Sequence, residues 1–216
     1  MIRAVVFDFD GVLVESVDTK TKAYAALFKD ECEEVVQTVL KYHHENGGVS
    51  RFEKFRFIYQ EILCRPLSKE KFHSLCENFS KIVTDKVVKA RWVDGAKEFL
   101  ENNKNTYQFY VVSGTPDGEL RSIIKKRGMD SFFHAVFGSP KVKGLLLNEL
   151  MGSYDLKNNE VVFVGDSVTD WQAAKSTGIQ FIWRRVPSDT TSIINFDGPI
   201  ISNLHQLKDY LETVSS

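Results

Sequence analysis

The 216-residue sequence predicts an α/β fold, a parallel and doubly wound sheet into which a block of helices is inserted. Three observations lead there. Short apolar runs at residues 4–7, 109–112 and 161–164 each stop at a cluster of polar and small residues. Runs of that length without alternation read as strands buried on both faces, as in a parallel sheet. The later runs are separated by helical patterns of about ten residues, and strands alternating with such helices form βαβ units. Between the first run and the rest, residues 17–90 hold one proline and two adjacent glycines, and their apolar residues recur at helical spacing.

Taken in order, Ala4-Val5-Val6-Phe7 opens the sheet and runs into Asp8-Phe9-Asp10-Gly11. The strand period of two sends Asp8 and Asp10 to one side and Phe9 to the other. In the inserted block, Ala23, Ala26 and Leu27, then Val35, Val36, Val39 and Leu40, mark an antiparallel helix pair. Phe52, Phe55, Ile58, Tyr59 and Ile62 mark a further amphipathic helix. Arg65-Pro66-Leu67 ends it, and Ser68 caps another with Phe72, Leu75, Phe79, Ile82 and Val83 on its apolar face.

From Trp92 the alternation resumes. Asp94-Gly95 opens a helix through Leu100, and the strand at 109–112 ends at Ser113-Gly114-Thr115-Pro116. A helix from Glu119 to Arg127 stops at Gly128, the residue type favoured just past a helix end. A short strand at 135–137, a helix at 145–151, the strand at 161–164, a helix at 170–177 and a strand at 179–183 follow. Beyond Arg185 the chain is polar until a last strand at 199–201 and a helix at 204–211.

Composition narrows the function. With 43% hydrophobic and 26% charged residues, the chain has the balance of a globular domain able to bury a full core. A formal net charge of −1 gives no electrostatic reason to expect nucleic acid or an anionic membrane as partner. Cys32, Cys64 and Cys76 lie far apart without metal-site spacing and read as reduced thiols. No apolar run reaches the length of a membrane span, and the two aspartates interrupt any secretory signal at the N-terminus, so a cytoplasmic protein is expected.

Three strands end in polar clusters: Asp8-Phe9-Asp10-Gly11, Ser113-Gly114-Thr115, and Gly165-Asp166-Ser167-Val168-Thr169-Asp170. In a parallel sheet these lie on one edge, outside the carboxyl ends of the strands, where ligands bind in open α/β sheets. Four carboxylates there repel one another unless a cation compensates them. A hard divalent ion held by oxygen ligands does so, and Mg2+ with a few carboxylates and waters is the common solution around phosphates. Lys141 or Lys143 adds positive charge, and a helix N-terminus beside it would help hold a phosphoryl dianion.

The pattern resembles the haloacid dehalogenase superfamily, in particular its phosphatases and the β-phosphoglucomutase-like branch. Asp8 and Asp10 match that family's Asp-x-Asp-Gly, Ser113 its second-strand hydroxyl, and Asp166 and Asp170 its Gly-Asp-x-x-x-Asp. Lys143 matches the final residue of Gly-Ser-Pro-x-x-Lys, with Lys141 the lesser claimant. The resemblance covers essentially the whole chain. It implies a Rossmann-like core at 1–16 and 91–216, with a helical cap domain at 17–90 that sets specificity. It also implies Mg2+, held by Asp8, the backbone carbonyl of Asp10, Asp166 and Asp170, the last either orienting a metal-bound water or Lys143. Asp8 would be the nucleophile, forming an aspartyl-phosphate, and Asp10 the general acid–base. Ser113 and Gly114 would contact the phosphoryl group, and Lys143 would neutralise charge.

An acid at position 10 favours phosphate esters over haloacids, because a halide leaving group needs no proton. In the inserted block, Arg51 of Gly-Val-Ser-Arg is similar to the cap arginine that grips a second phosphate in the β-phosphoglucomutase-like enzymes. Against the mutase, Gly165 stands where that branch usually has an acid before the metal-binding aspartate. His43 and His44 lack a third ligand at metal spacing, so a surface or packing role is expected of them rather than zinc. The expectation is a phosphatase for a small phosphorylated metabolite, monomeric or homodimeric. A sugar phosphomutase and a non-catalytic binding protein on the same fold are the alternatives.

Overall fold

The computed structural model describes residues 1–185 and 196–215. Most of the polar stretch after Arg185 lies outside the described residues. The chain opens with β1 (Ala4–Phe7) and then runs through four helices, α1 (Val17–Leu27), α2 (Glu33–Glu45), α3 (Arg51–Phe57) and α4 (Lys69–Lys89). Helix α5 (Ala96–Asn103) leads to β2 (Gln108–Pro116), α6 (Asp117–Lys126), β3 (Ala135–Ser139) and α7 (Lys143–Ser153). Then come β4 (Val161–Gly165), α8 (Val168–Thr177), β5 (Gln180–Arg184), β6 (Ile200–Ile201) and α9 (Leu207–Ser215).

The six strands form one sheet of order β3-β2-β1-β4-β5-β6, and every pairing is parallel. Because β2 and β3 lie on one side of β1 and β4 to β6 on the other, the connections diverge beside β1. The crevice at such a switch point is where ligands bind. Phe7 pairs in register with Val111 on one side and Val164 on the other, so residues 8, 113 and 166 emerge together from the carboxyl edge.

The strands are apolar throughout because helices cover both faces. Val5, Phe7, Phe109, Val111, Val162 and Val164 face one core together with Leu100 of α5, Ile123 of α6 and Leu211 of α9. Ala4, Val6, Tyr110, Val112 and Phe163 face the other, against Leu147 of α7 and Ala174 of α8.

The helices of residues 17–89 enclose their own aromatic cluster. Tyr24, Phe55 and Phe79 are buried, with ring centroids 5.0–6.0 Å apart. Each such ring contributes about 1.5–3 kcal/mol by leaving water. Ala26, expected inside, is exposed, since α1 turns Ala23 and Tyr24 inward instead. The helix read across Phe52–Ile62 loosens halfway into a π-helical turn at Ile58–Ile62. Ser68 caps α4 as expected, accepting from Lys71 N at 3.2 Å. The chain leaves for these helices and returns along two adjacent connections, with Glu15 N donating to Arg91 O and Val93 N to Leu13 O.

Candidate active site

Asp8 is the first residue beyond β1, and its backbone N–H still donates to Val164 O, which fixes it in the sheet. Its Oδ1 accepts from Phe9 N at 2.7 Å and its Oδ2 from Lys143 Nζ at 2.8 Å. The same ammonium reaches Asp170 Oδ1 at 2.5 Å. Lys143 stands at the start of α7 and is buried, whereas Lys141 is exposed and paired with Glu149. The geometry therefore places Lys143, not Lys141, among the carboxylates.

Asp170 has a double place. Its Oδ2 accepts from the N–H and hydroxyl of Ser167, closing a reciprocal cap on α8, while Oδ1 holds Lys143. Both oxygens are thus engaged. Asp8, Asp166 and Asp170 each bring an oxygen within 4.8 Å of the others. Burial, together with Asp8 and Asp170, pushes the Asp166 carboxyl well above the usual carboxylate range. Burial also pushes Asp8 up to about 6, with Asp170 and Asp10 adding to it against the opposing charge of Lys143. Burial alone would lower the Lys143 ammonium, but Asp170 and Asp8 outweigh it and hold it above its ordinary range. A three-carboxylate oxygen cluster with two proton affinities raised fits a hard divalent cation. Asp170, expected as a ligand, belongs to this cluster and also holds Lys143 and Ser167, as Asp8 also holds Phe9 N and Lys143.

Asp10 projects beside Asp8 as the strand period requires, but its partners were not foreseen. Lys20 of α1 pairs with its Oδ2, Thr115 donates to the same oxygen at 3.0 Å, and Ser16 donates to Oδ1 at 2.5 Å. Burial would raise this carboxyl, yet Lys20 and the hydroxyls outweigh it and hold it below the usual value. Thr115 stands two residues after Ser113, hence on the same face of β2; that spacing was a readable signal. Ser113 is buried and its Oγ accepts from Thr115 N at 3.3 Å, which leaves its O–H free to donate.

A cavity of about 670 Å³ opens on Asp8, Asp10, Ser113, Gly114 and Asp166 and is roofed by residues of α1, α2 and α3. Gly114 lines it and also admits the inserted helices, since a Cβ there would collide with Gly48 O. Thr169 Oγ1 donates to Gly47 O at 2.6 Å across the same seam. Gly11, with φ +76°, makes the turn after Asp10, where a side chain would strike Asp166.

Arg51 does not point free into the cavity. It is buried against Phe79, 4.5 Å from the ring centroid, with Nη1 and Nη2 on Glu119 of α6 and Nη1 also on Ser80 at 2.6 Å. His43 is buried 4.5 Å from the Tyr24 ring and takes Lys54 Nζ at 2.9 Å on Nδ1. Burial, then Lys54, push the imidazole down to about 2, so it is neutral. Its ring packs on Tyr24 and its Nδ1 is taken by Lys54. Arg184, the one charge in β5, is buried with Nη1 on Gly11 O at 2.9 Å and Nη2 on Glu15 at 2.7 Å, bracing the turn below Asp10.

Known proteins resemble this chain in sequence and in fold. The sequence pattern of a family described as haloacid dehalogenase-like hydrolase matches residues 5–184. A phosphoglycolate phosphatase of Mannheimia succiniciproducens is 26% identical over 180 residues, 80% of each chain. Among solved structures, a predicted phosphoglycolate phosphatase from Haemophilus somnus superposes with a TM-score of 0.78 at 20% identity, covering 97% of this chain and 98% of its own. The HAD-hydrolase YfnB of Bacillus subtilis, bound to magnesium, gives 0.71 at 17% identity, over 98% and 99% of the two chains.

Proposed function

Because the chain belongs to the haloacid dehalogenase-like hydrolases, we propose that it is a Mg2+-dependent phosphatase that cleaves a small organic phosphate ester through an aspartyl-phosphate on Asp8. The observation that carries this reading is the shared opening of Asp8, Asp10, Ser113 and Asp166 on one cavity, with Lys143 bound to Asp8 behind them.

A carboxylate oxygen of Asp8 attacks phosphorus as the bond to the leaving oxygen breaks, and Asp10 delivers the proton that oxygen needs. Asp10 then takes a proton from water as the water attacks the same phosphorus and frees Asp8. Ser113 donates to a phosphoryl oxygen and Lys143 neutralises charge on Asp8 and the phosphoryl group. Asp8 and Asp166 would hold Mg2+, which supplies positive charge against the phosphoryl oxygens when bound. Asp170 acts through Lys143 by fixing its ammonium. The helices of residues 17–90 serve as a cap that closes the cavity to bulk solvent while substrate is bound.

The phosphomutase alternative leaned on Arg51, and a guanidinium engaged by Glu119 and Ser80 is not free to grip a second phosphate. The name of the curated relative makes phosphoglycolate the first natural ester to assay. Purified protein with Mg2+ releases phosphate from para-nitrophenyl phosphate and from a panel of metabolite esters, and Asp8→Asn releases none. Absence of release from every ester, or full activity in Asp8→Asn, refutes the reading.

A further inference from the structure

We propose that Lys54 of the inserted helices is a subsite for a carboxylate on the substrate, so that the ester hydrolysed is a phosphorylated hydroxy acid. This rests on the phosphatase reading and names the substrate class for it. Arg91 stands exposed at the rim of the cavity. Further in, Lys20 holds Asp10, Arg51 holds Glu119, Lys143 holds Asp8 and Asp170, and Arg184 holds Glu15. Lys54 is as buried as any of these, with 3% of its surface exposed, yet its partners among the described residues are neutral: Nδ1 of His43 at 2.9 Å and the His43 carbonyl at 3.0 Å.

A buried ammonium without a counter-ion is costly, and its carrier yields its proton more readily in compensation. Burial, with Lys20 and Lys143 nearby, lowers Lys54 to about 7. The missing counter-ion is supplied by whatever enters the cavity, which Lys54 lines together with Tyr24, His43 and Phe79.

The chemistry of that group follows from the donors left. An ammonium has three N–H groups, and His43 accepts two of Lys54's. One donor and one charge suit a carboxylate. A second phosphate is gripped most firmly by a guanidinium fork, and the fork nearby is committed to Glu119, so the bisphosphate is the competing ligand to test. Lys54 lines the same cavity as Asp8 and Asp166, so one molecule held there faces all three.

The test compares binding of phosphoglycolate, of 2-hydroxyethyl phosphate, which lacks the carboxylate, and of ethylene glycol bisphosphate, by calorimetry with Mg2+ in Asp8→Asn protein. The expected result is a preference for phosphoglycolate over 2-hydroxyethyl phosphate of about thirtyfold, the scale of one charge-assisted hydrogen bond. Adding Lys54→Met abolishes that preference while leaving 2-hydroxyethyl phosphate binding within about threefold, as expected where only the charge-assisted contact is lost. Lys54→Gln, which keeps a donor for His43, serves if the methionine variant does not fold. Equal affinity for the two monophosphates, a preference that survives both variants, or tighter binding of the bisphosphate overturns the proposal. These outcomes are separable from the phosphatase reading. Failure of wild-type protein to release phosphate from para-nitrophenyl phosphate and from every metabolite ester refutes that reading alone, and the binding preference still decides the role of Lys54.

Discussion

Removing Glu119 isolates what Arg51 does. The two side chains are 4% and 12% exposed and join α3 of the inserted helices to α6 beside the sheet. Nη1 donates to Glu119 Oε2 at 2.9 Å and Nη2 to Oε1 at 2.5 Å, while Ser80 accepts from Arg51 at 2.6 Å and donates to Glu119 at 2.5 Å. Glu119→Ala leaves a buried guanidinium and a hydroxyl without their acceptor, at a cost of about 3–5 kcal/mol. With a urea m value of about 3 kcal/mol/M, the unfolding midpoint falls by about 1–1.7 M. Arg51→Met costs a similar amount for the converse reason. The double variant Arg51→Met, Glu119→Leu regains most of the loss, because a well-packed apolar pair of similar volume is often neutral or stabilising. Urea unfolding of the four proteins closes the cycle. An unchanged midpoint in Glu119→Ala refutes the reasoning. So does an Arg51→Met protein of unchanged stability whose KM alone rises, since Arg51 is then a substrate ligand.

Other consequences are equally direct. Lys143→Met lowers phosphate release by about a hundredfold to a thousandfold, the loss expected of one preorganised charge at the reacting centre. Lys141→Met, which removes an exposed pair with Glu149, leaves release within about twofold. Metal-free Asp8→Asn protein is more stable than wild type at neutral pH in urea titrations. The folded value of Asp8, about 6 against 3.8 for an unperturbed aspartate, means that its contribution is fully present below 3.8 and is lost as pH rises through 6. The advantage of asparagine accordingly vanishes in acid. At a hundredfold excess over its dissociation constant, Mg2+ raises wild-type stability by about 2.7 kcal/mol, seen as a melting point higher than in a chelator. Lys20→Met removes the charge that outweighs burial at Asp10, so the limb of the pH–rate profile belonging to Asp10 moves to higher pH.

The architecture and the acidic edge were legible because both follow from local pattern. Four-residue apolar strands imply a sheet covered on both faces, and a parallel sheet puts every strand's carboxyl end on one side. Asp8, Ser113, Asp166 and Asp170 needed nothing more to be brought together. The choice between Lys141 and Lys143 needed the start of α7, because which of two lysines turns inward depends on where a helix begins. Arg51, Lys54 and His43 were beyond the sequence. Whether Arg51 meets Glu119 or a ligand depends on residues 68 apart in the chain, and nothing local marks Lys54 as buried beside a neutral histidine. Lys20 was hidden for the same reason, since its partner belongs to a turn that the helix merely passes over.

The two aspartates of Asp8-Phe9-Asp10-Gly11 show why those long-range partners matter. Burial raises both carboxyls, yet Asp8 ends high and Asp10 low, because Lys143 is shared with Asp170 whereas Lys20, Ser16 and Thr115 all serve Asp10. In the proposed mechanism the nucleophile must be ionised and the general acid protonated, so the free site ranks their proton affinities in the reverse order. The components of the reaction correct it. A divalent cation held by Asp8 and Asp166 would lower the proton affinity of Asp8, as the opposite charge favours the carboxylate. A phosphoryl dianion arriving beside Asp10 competes for Lys20 and adds a like charge, and both effects raise Asp10 toward the protonated form. Lys20 belongs to α1 of the inserted helices, whereas Lys143 belongs to α7 of the sheet core. The proton affinity of Asp8 is therefore governed by the core, and that of Asp10 by how the inserted helices sit on it.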